Sequence, residues 1–211
     1  MNIILLGIQG SGKGTLVADL ESHLDFNLIS VGQLLRDEVA TGSELGKHIH
    51  KLQTEGLLVD LPIVVDVINK SLTSNNKDIT IFDGFPRDKA QADELDKIAN
   101  VDLAIYLNLS KEEAINRVMN RLNCLGCGLI TSKKRVSSDI CPQCGGKLVQ
   151  RSDDTLEGIT KRIELYLSET FPLVERYRKQ GVLVEVDADR EPKAILNDVL
   201  NILKVINEHK D

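Results

Sequence analysis

Apolar positions along this chain alternate between two patterns. Short apolar runs, typical of strands buried on both faces, are followed by stretches in which apolar residues return every three or four positions. The second pattern is the period of a helix with one buried face. The runs lie at residues 3–6, 27–30, 79–83, 103–108 and 183–187. The helical stretches are 13–24, 32–41, 44–54, 61–72, 89–98, 111–121, 155–180 and 192–206, with Pro172 expected to kink the seventh. This alternation predicts an α/β fold, a parallel five-stranded sheet with helices on both faces. Two segments interrupt it. Residues 31–59 hold two helices in succession with no strand between them. Residues 122–150 hold glycines, cysteines and lysines without helical period. Both read as excursions from the sheet.

The first strand leads directly into Gly7-Ile8-Gln9-Gly10-Ser11-Gly12-Lys13-Gly14-Thr15, and a helical pattern opens at Lys13. Strand, glycine loop and helix are the context of a phosphate-binding P-loop. The glycines let backbone N–H groups turn inward around a phosphate, and the helix N-terminus adds partial positive charge. Lys13 can then reach the outer phosphates, and Thr15 or Ser11 can face a magnesium ion. The hydroxyl stands one place later than in the strict pattern, because Gly14 follows Lys13.

A length of 211 residues suits one α/β domain with inserts. The net charge of −6 argues against broad nucleic-acid binding, and aromatics at 3% with no Trp remove the stacking platforms of a single-strand binder. No apolar run approaches the ~18 residues of a membrane span. Met1 leads straight into a strand, so no signal peptide is expected and the chain is expected in the cytoplasm.

All four cysteines lie in the second excursion, as Cys124-x-x-Cys127 and Cys141-x-x-Cys144. Gly128 follows the first pair and Gly145-Gly146 the second. Four thiolates so spaced fit tetrahedral Zn²⁺ as a closed structural site. A cytoplasmic chain does not rely on disulfides, and a redox pair needs only one CxxC. The metal would fold a small lobe that has few apolar residues of its own. Lys133-Lys134-Arg135 reads as a solvated hairpin tip.

No nucleophile–base set is apparent, and His23, His48, His50 and His209 read as surface residues on helices. Phosphoryl transfer needs no covalent nucleophile from the protein. It needs positive charge placed around the moving group. Candidates are Arg36, Arg87, Arg117, Arg121, Arg151 and Arg162. Arg87 ends Asp83-Gly84-Phe85-Pro86-Arg87, just after a buried strand, where open α/β sheets place their ligands. Arg121 and Arg151 bracket the cysteine lobe. Asp153-Asp154 sit at its second hinge, placed to bond arginine or the ligand ribose, to hold magnesium-bound water, or to cap the helix that follows.

Together these motifs resemble the adenylate kinase family, in its bacterial-type long form with a zinc-binding lid. The resemblance spans nearly the whole chain. It rests on GIQGSGKGT at 7–15, ISVGQLLR at 29–36, SELGK at 43–47, DGFPR at 83–87 with Gln91 beyond, CLGCG and CPQCGG, and QRSDD at 150–154 followed by Arg162. It implies that Lys13 and the loop Gly10, Ser11, Gly12, Gly14 and Thr15 bind ATP phosphates. Arg36 and Arg87 would hold the AMP phosphate. Gln91 would read its adenine, with Val31 and backbone groups around Leu57, Val59 and Gly84. Arg117 and Arg121 would line the ATP side, Ile130 and Thr131 would offer lid contacts, and Arg190 would meet the ATP base. Arg151 and Arg162 would close on the phosphates. Lys13, Arg87, Arg121, Arg151 and Arg162 would then carry catalysis. The implied architecture is a core of residues 1–29, 59–121 and 151–211, a monophosphate lobe at 30–58 and a zinc-ribbon lid at 122–150. Structural Zn²⁺ in the lid, Mg²⁺ with ATP, the nucleotides ATP, AMP and ADP as partners, and a monomer that binds neither nucleic acid nor membrane complete the expectation.

The chain departs from the family pattern at several places. Gln9 stands where Pro is usual, Val31 where a Thr hydroxyl helps hold AMP, Gln33 for Asp and Leu122 for Arg. Thr131 replaces an aromatic, and the lid lacks the usual Pro-Pro-Lys run and is a few residues short. Two rival readings follow. Val31 keeps open a kinase for another monophosphate, UMP or CMP. A zinc-ribbon module that binds nucleic acid or a partner would explain the cysteines and 133–135, but not the P-loop, DGFPR or the spaced arginines.

Overall fold

The computed structural model describes residues 1–72 and 77–208. In chain order the elements are β1 (Asn2–Leu6), α1 (Lys13–Leu20), β2 (Asn27–Ser30), α2 (Val31–Ala40), α3 (Glu44–Thr54), α4 (Leu61–Leu72), β3 (Thr80–Asp83) and α5 (Lys89–Ile98). They continue with β4 (Leu103–Asn108), α6 (Lys111–Met119), β5 (Arg121–Cys124), β6 (Ile130–Ser132), β7 (Leu148–Val149), α7 (Leu156–Leu165), a π-helical segment (Tyr166–Thr170), α8 (Phe171–Lys179), β8 (Leu183–Asp187) and α9 (Pro192–Glu208).

Five strands form one parallel sheet in the order β2-β3-β1-β4-β8. Strand β1 is central, with Ile3 in register with Ile81 on one side and Leu103 on the other. Its side chains alternate between two cores. Ile3 and Leu5 pack with Leu16, Val17 and Leu20 of α1, Ala114 and Val118 of α6, Ile159 and Ile163 of α7, and Val199 and Leu203 of α9. Ile4 and Leu6 pack on the other face with Leu35 of α2, Val64 and Ile68 of α4, Leu95 of α5, and Leu173, Val174 and Tyr177 of α8. A strand buried on both faces must be apolar at every position, and β1 is so from Ile3 to Leu6.

The parallel strands all end at one edge. Strands β3 and β4 flank β1 there, so the crevice beyond the C-terminal end of β1 lies at the switch point of the topology. A second, antiparallel sheet of order β6-β5-β7 carries the cysteines. Its small core is Cys124, Cys141 and Leu148, with Leu122, Leu129 and Val136 against them.

Several boundaries differ from the sequence pattern. Helix α1 ends at Leu20, four residues early. There the Ser22 hydroxyl donates to the Asp19 carbonyl and competes with the helical ladder. Helix α6 ends at Met119, so Arg121 belongs to β5. The Asn120 side chain donates to the Asn116 carbonyl, and the Asn120 carbonyl accepts from Lys133 as the second sheet begins. The stretch 155–180 runs helical without a break from Leu156 to Lys179, and it is interrupted just before Pro172 by a π-helical turn that separates α7 from α8, with Pro172 in the first turn of α8. Thr155, not the acidic pair before it, caps α7 by accepting from the Gly158 N–H at 3.1 Å. Lys133 and Lys134 form an exposed turn leaving β6 rather than a hairpin tip. They are tied to the Gln150 amide oxygen at 2.9 Å and the Asn116 amide oxygen at 3.3 Å. His23, His48 and His50 are exposed, and His209 lies outside the described residues. No described helix is long and apolar enough to cross a membrane.

Candidate functional site

The loop from β1 to α1 occupies the switch-point crevice. Gly10 has φ +92° and could not carry a side chain, since a β-carbon there would stand 2.8 Å from the Ala114 carbonyl oxygen. Ser11 is fully buried, and its N–H donates to the Ile8 carbonyl at 3.1 Å. Gly12 is the left-handed N-cap of α1, Lys13 opens the helix, and Gly14 and Thr15 follow in its first turn. The Lys13 ammonium folds back over the loop. It donates to the Gly7 carbonyl at 2.5 Å, the Ile8 carbonyl at 3.1 Å and Ser11 Oγ at 3.3 Å. Burial pulls its pKa down to about 8. Arg87 and Arg121 push the same way, and Asp83 opposes them.

Arg87 sits at the end of the loop that follows β3. Its Nε donates to the Gly84 carbonyl at 2.8 Å, and its backbone N–H donates to Gln91 Oε1 at 2.9 Å. Gln91 is 3% exposed, in the first turn of α5, which Asp88 caps. Arg36 comes from α2, where Gln33 accepts from it at 2.8 Å. It stands beside Arg87. A β-carbon on Gly32 would lie 3.4 Å from Arg36 Nη1 and 3.8 Å from Arg87 Nη2. Burial lowers the proton affinity of Arg36 and Arg87. Asp153, Asp37 and Asp83 offset part of this at Arg36 and Asp83 at Arg87, while Arg121 repels Arg36, and Arg162 and Arg36 repel Arg87.

The acidic pair at the second hinge of the cysteine lobe bonds arginine. The Asp154 side chain has no exposure and takes Arg121 in a two-pronged pair, Nη2 to Oδ1 at 2.6 Å and Nε to Oδ2 at 3.0 Å. Arg162 Nη2 lies 2.9 Å from Asp153 Oδ2, and Arg162 Nη1 lies 3.9 Å from Asp154 Oδ1. Arg162 also donates to Gln9 Oε1 at 3.4 Å and to the Gln53 carbonyl at 3.5 Å. Arg151 is half-buried with its pKa drawn down to about 10, first by burial and then by Arg121 and Arg36. Lys13, Arg36, Arg87, Arg121, Arg151 and Arg162 thus share one cleft.

Arg117 and Arg190 do not join this cluster. Arg117 donates to the Ala188 carbonyl at 2.9 Å and pairs with Glu113 and Asp189. Arg190 is exposed and pairs with Asp187 and Asp198. Arg117, on α6, and Arg190 are thus both set against residues 187–189 at the end of β8.

The two excursions stand against the site. Ile130 Cδ1 would lie 3.1 Å from a β-carbon on Gly14, and Lys161 Cβ 3.3 Å from one on Gly56. Thr131 is half-buried on β6, opposite Leu122. Val31 and Val59 are buried and Leu57 is 52% exposed, and all three line a small pocket with Gly84, Arg87 and Gln91.

The four cysteines converge in the second sheet, their sulfurs all within 4.8 Å of one another. Cys124 and Cys144 sulfurs are 3.4 Å apart, and Cys127 and Cys141 sulfurs 3.7 Å. A tetrahedral ion with metal–sulfur bonds of about 2.3 Å needs sulfurs about 3.8 Å apart. Backbone N–H groups of Gly126 and Cys127 point at Cys124 Sγ, and that of Gly146 at Cys144 Sγ. The cluster is able to hold a metal ion.

The sequence pattern places Asp154 at a hinge where it can bond arginine without naming which one, and it assigns no role to Asp83 or Thr170. Asp83 was visible inside DGFPR. The Asp154–Arg121 pairing, across 33 residues, and the Thr170 contact, across 83, left no local signal.

The doubly wound sheet, the glycine loop at its switch point and the cationic cleft define a P-loop nucleotide phosphotransferase. The family model described as adenylate kinase matches residues 5–182. Curated relatives include the adenylate kinases of Pseudothermotoga lettingae, 41% identical over 98% of this chain and 99% of that protein, and of Alkaliphilus oremlandii, 37% identical over 96% and 98%. That of Thermosipho melanesiensis is 35% identical over 97% of this chain and all of its own length. The chain belongs to the adenylate kinase family.

Replacing Asp154 by Asn leaves Arg121 buried without its countercharge. The expected loss is about 3 kcal/mol of stability in urea unfolding. A change under about 0.5 kcal/mol would show that this pair does not hold the hinge.

Proposed function

We propose that the chain interconverts ATP plus AMP with two ADP, with the triphosphate on the P-loop and the monophosphate against Arg36, Arg87 and Gln91. The observation that carries this reading is the convergence of Lys13 and five arginines on one cleft. Their mutual repulsion is relieved when the phosphates of two nucleotides enter between them. The Lys13 ammonium, seated on loop carbonyls, would exchange them for phosphate oxygens. Arg121, Arg151 and Arg162 would face the transferred group, and one such arginine is worth about 10³-fold or more in rate. Closure of the lobes at 30–58 and 122–150 over the core would exclude water, so that the phosphoryl group reaches AMP and not solvent.

Ser11 is buried beneath the loop, which leaves Thr15 as the hydroxyl beside a magnesium ion. A magnesium ion held near Thr15 would supply positive charge that offsets part of the charge on the phosphates. In the lid, four thiolates with hydrogen-bonded sulfurs favour Zn²⁺ in a structural role.

Gln91 supports adenine as the accepted base. Its oxygen is held by the Arg87 N–H, which leaves its amide N–H groups as the donors for a ring-nitrogen acceptor such as adenine N1 in the pocket that Gln91 lines. Uracil presents an N–H at the corresponding edge. Cytosine presents an acceptor, and the pocket wall at Val31 offers no hydroxyl, which makes CMP the second reading.

With ATP and Mg²⁺, AMP should outrun CMP, UMP and GMP by at least about 100-fold in kcat/KM. A preference for CMP or UMP would overturn the assignment to AMP.

Because Lys13 titrates near 8 in the empty site, ATP binding at pH 8.5 should take up protons, since the phosphates restore its charge. Calorimetry in two buffers of different ionisation heat should show uptake of up to about three-quarters of a proton per ATP at pH 8.5 and almost none at pH 6.5. Equal uptake at both values would remove Lys13 from the phosphate site. Lys13→Ala should leave a folded protein whose transfer rate has fallen by orders of magnitude.

Replacing Cys141 and Cys144 with Ser should release about one zinc per chain and lower the melting temperature. Some ATP binding should survive, because the P-loop rests on the main sheet. A metal-free protein that kept its full melting temperature would refute the structural role.

A further inference from the structure

The π-helical segment Tyr166–Thr170 interrupts what sequence periodicity makes a single helix. Turns of this kind are rare, and they occur mostly as single-turn bulges at functional sites. Accommodating one extra residue rotates the helix face that follows by about 100° relative to an unbroken α-helix. The last residue of the segment makes a long-range contact. Thr170 Oγ1 donates to the backbone carbonyl of Arg87 at 2.5 Å, across 83 residues of sequence.

That bond completes a set of restraints on Arg87. Its N–H is held by Gln91, its Nε by the Gly84 carbonyl, and its own carbonyl by Thr170. The helix beyond the π segment continues the grip. Arg176 on α8 pairs with Asp93 and Asp96 on α5, each at 2.6 Å, and α5 carries Gln91. Arg162 lies on α7, on the other side of the same segment. One rod therefore carries Arg162, holds the Arg87 carbonyl at its π turn, and clamps the helix of Gln91 further on.

Arg87 needs such an anchor. Its guanidinium is repelled by Arg36 and Arg162. Asp83 attracts it, so before an anion arrives the side chain stands between opposing charges, and its aim depends on where the backbone is held. A backbone fixed on both sides limits movement to side-chain torsions.

We propose that Thr170 is a positioning residue for the monophosphate site. Its hydroxyl fixes the Arg87 carbonyl and so aims the guanidinium at the phosphate of the incoming nucleoside monophosphate. The proposal rests on the reading of Arg87 as a monophosphate contact.

Thr170→Val keeps the shape and removes the hydroxyl, and Thr170→Ser keeps the hydroxyl. KM for AMP, KM for ATP and kcat are measured for both, with Arg87→Lys as the reference and melting temperatures for all. Thr170→Val should raise KM for AMP about five- to tenfold while KM for ATP stays within about twofold. Thr170→Ser should stay within about twofold of the parent on both substrates. Should the Val variant not fold, Thr170→Ala takes its place with the same expectation. Unchanged KM values in the hydroxyl-free variant would overturn the proposal. So would equal increases for both nucleotides beside a lowered melting temperature, or a Ser variant as impaired as the Val variant. A normal Thr170→Val beside an impaired Arg87→Lys refutes Thr170 alone. An unaffected KM for AMP in Arg87→Lys would instead remove the reading of Arg87, and this proposal with it.

Discussion

Holding six like charges in one cleft is the constraint that the rest of this structure answers. Lys13, Arg36, Arg87, Arg121, Arg151 and Arg162 come from different elements, and burial and mutual repulsion lower the proton affinity of several of them. Such a cluster is stable only if anionic partners inside the protein hold its members apart and in place. Asp154 takes Arg121 with both oxygens, Asp153 takes Arg162, and Asp83 offsets the positive field at Lys13 and Arg87. Carbonyls do the same for Lys13 and Arg87 without adding charge. The result is a cationic cleft whose members are held by bonds within the protein.

The topology supplies the rigidity that this arrangement needs. Strand β1 is paired on both edges and buried on both faces, so the glycine loop leaves from the least mobile part of the sheet. The arginines arrive from α2, the loop after β3, β5, the hinge after β7, and α7. Among the six, Arg36 comes from the first excursion, and Arg121 and Arg151 bracket the second. The cysteine-bearing excursion buries only a handful of apolar side chains, too few to order a lobe by hydrophobic burial alone. Four sulfurs gathered to metal-binding distance stand at the centre of that lobe.

Much of this was legible in the sequence because the signals are local. The five core strands, both excursions, the P-loop and the cysteine knuckles each depend on periodicity or spacing within about ten residues. All five strands were placed to within a residue. The errors fell where a side chain or a distant partner competes with local periodicity. The Asp19–Ser22 contact stops α1 early, and the pairing of β5 with β6 claims Arg121 from the end of α6. In helical periodicity a π turn shows only as a slip of phase between two stretches that each keep their own 3.6-residue pattern.

The sequence alone determined which residues could carry charge to phosphate and which could bind a metal, since glycine loops, paired cysteines and DGFPR are fixed by chemistry at short range. Only the tertiary structure decided which charges meet. It separated Arg117 and Arg190 from the other arginines and set them against residues 187–189 at the end of β8. It chose, among the roles open to Asp154, the buried pair with Arg121. It joined Thr170 to Arg87. These contacts join residues far apart in the chain. Coulomb repulsion, burial and hydrogen-bond geometry select them only after the sheet has brought its edges together.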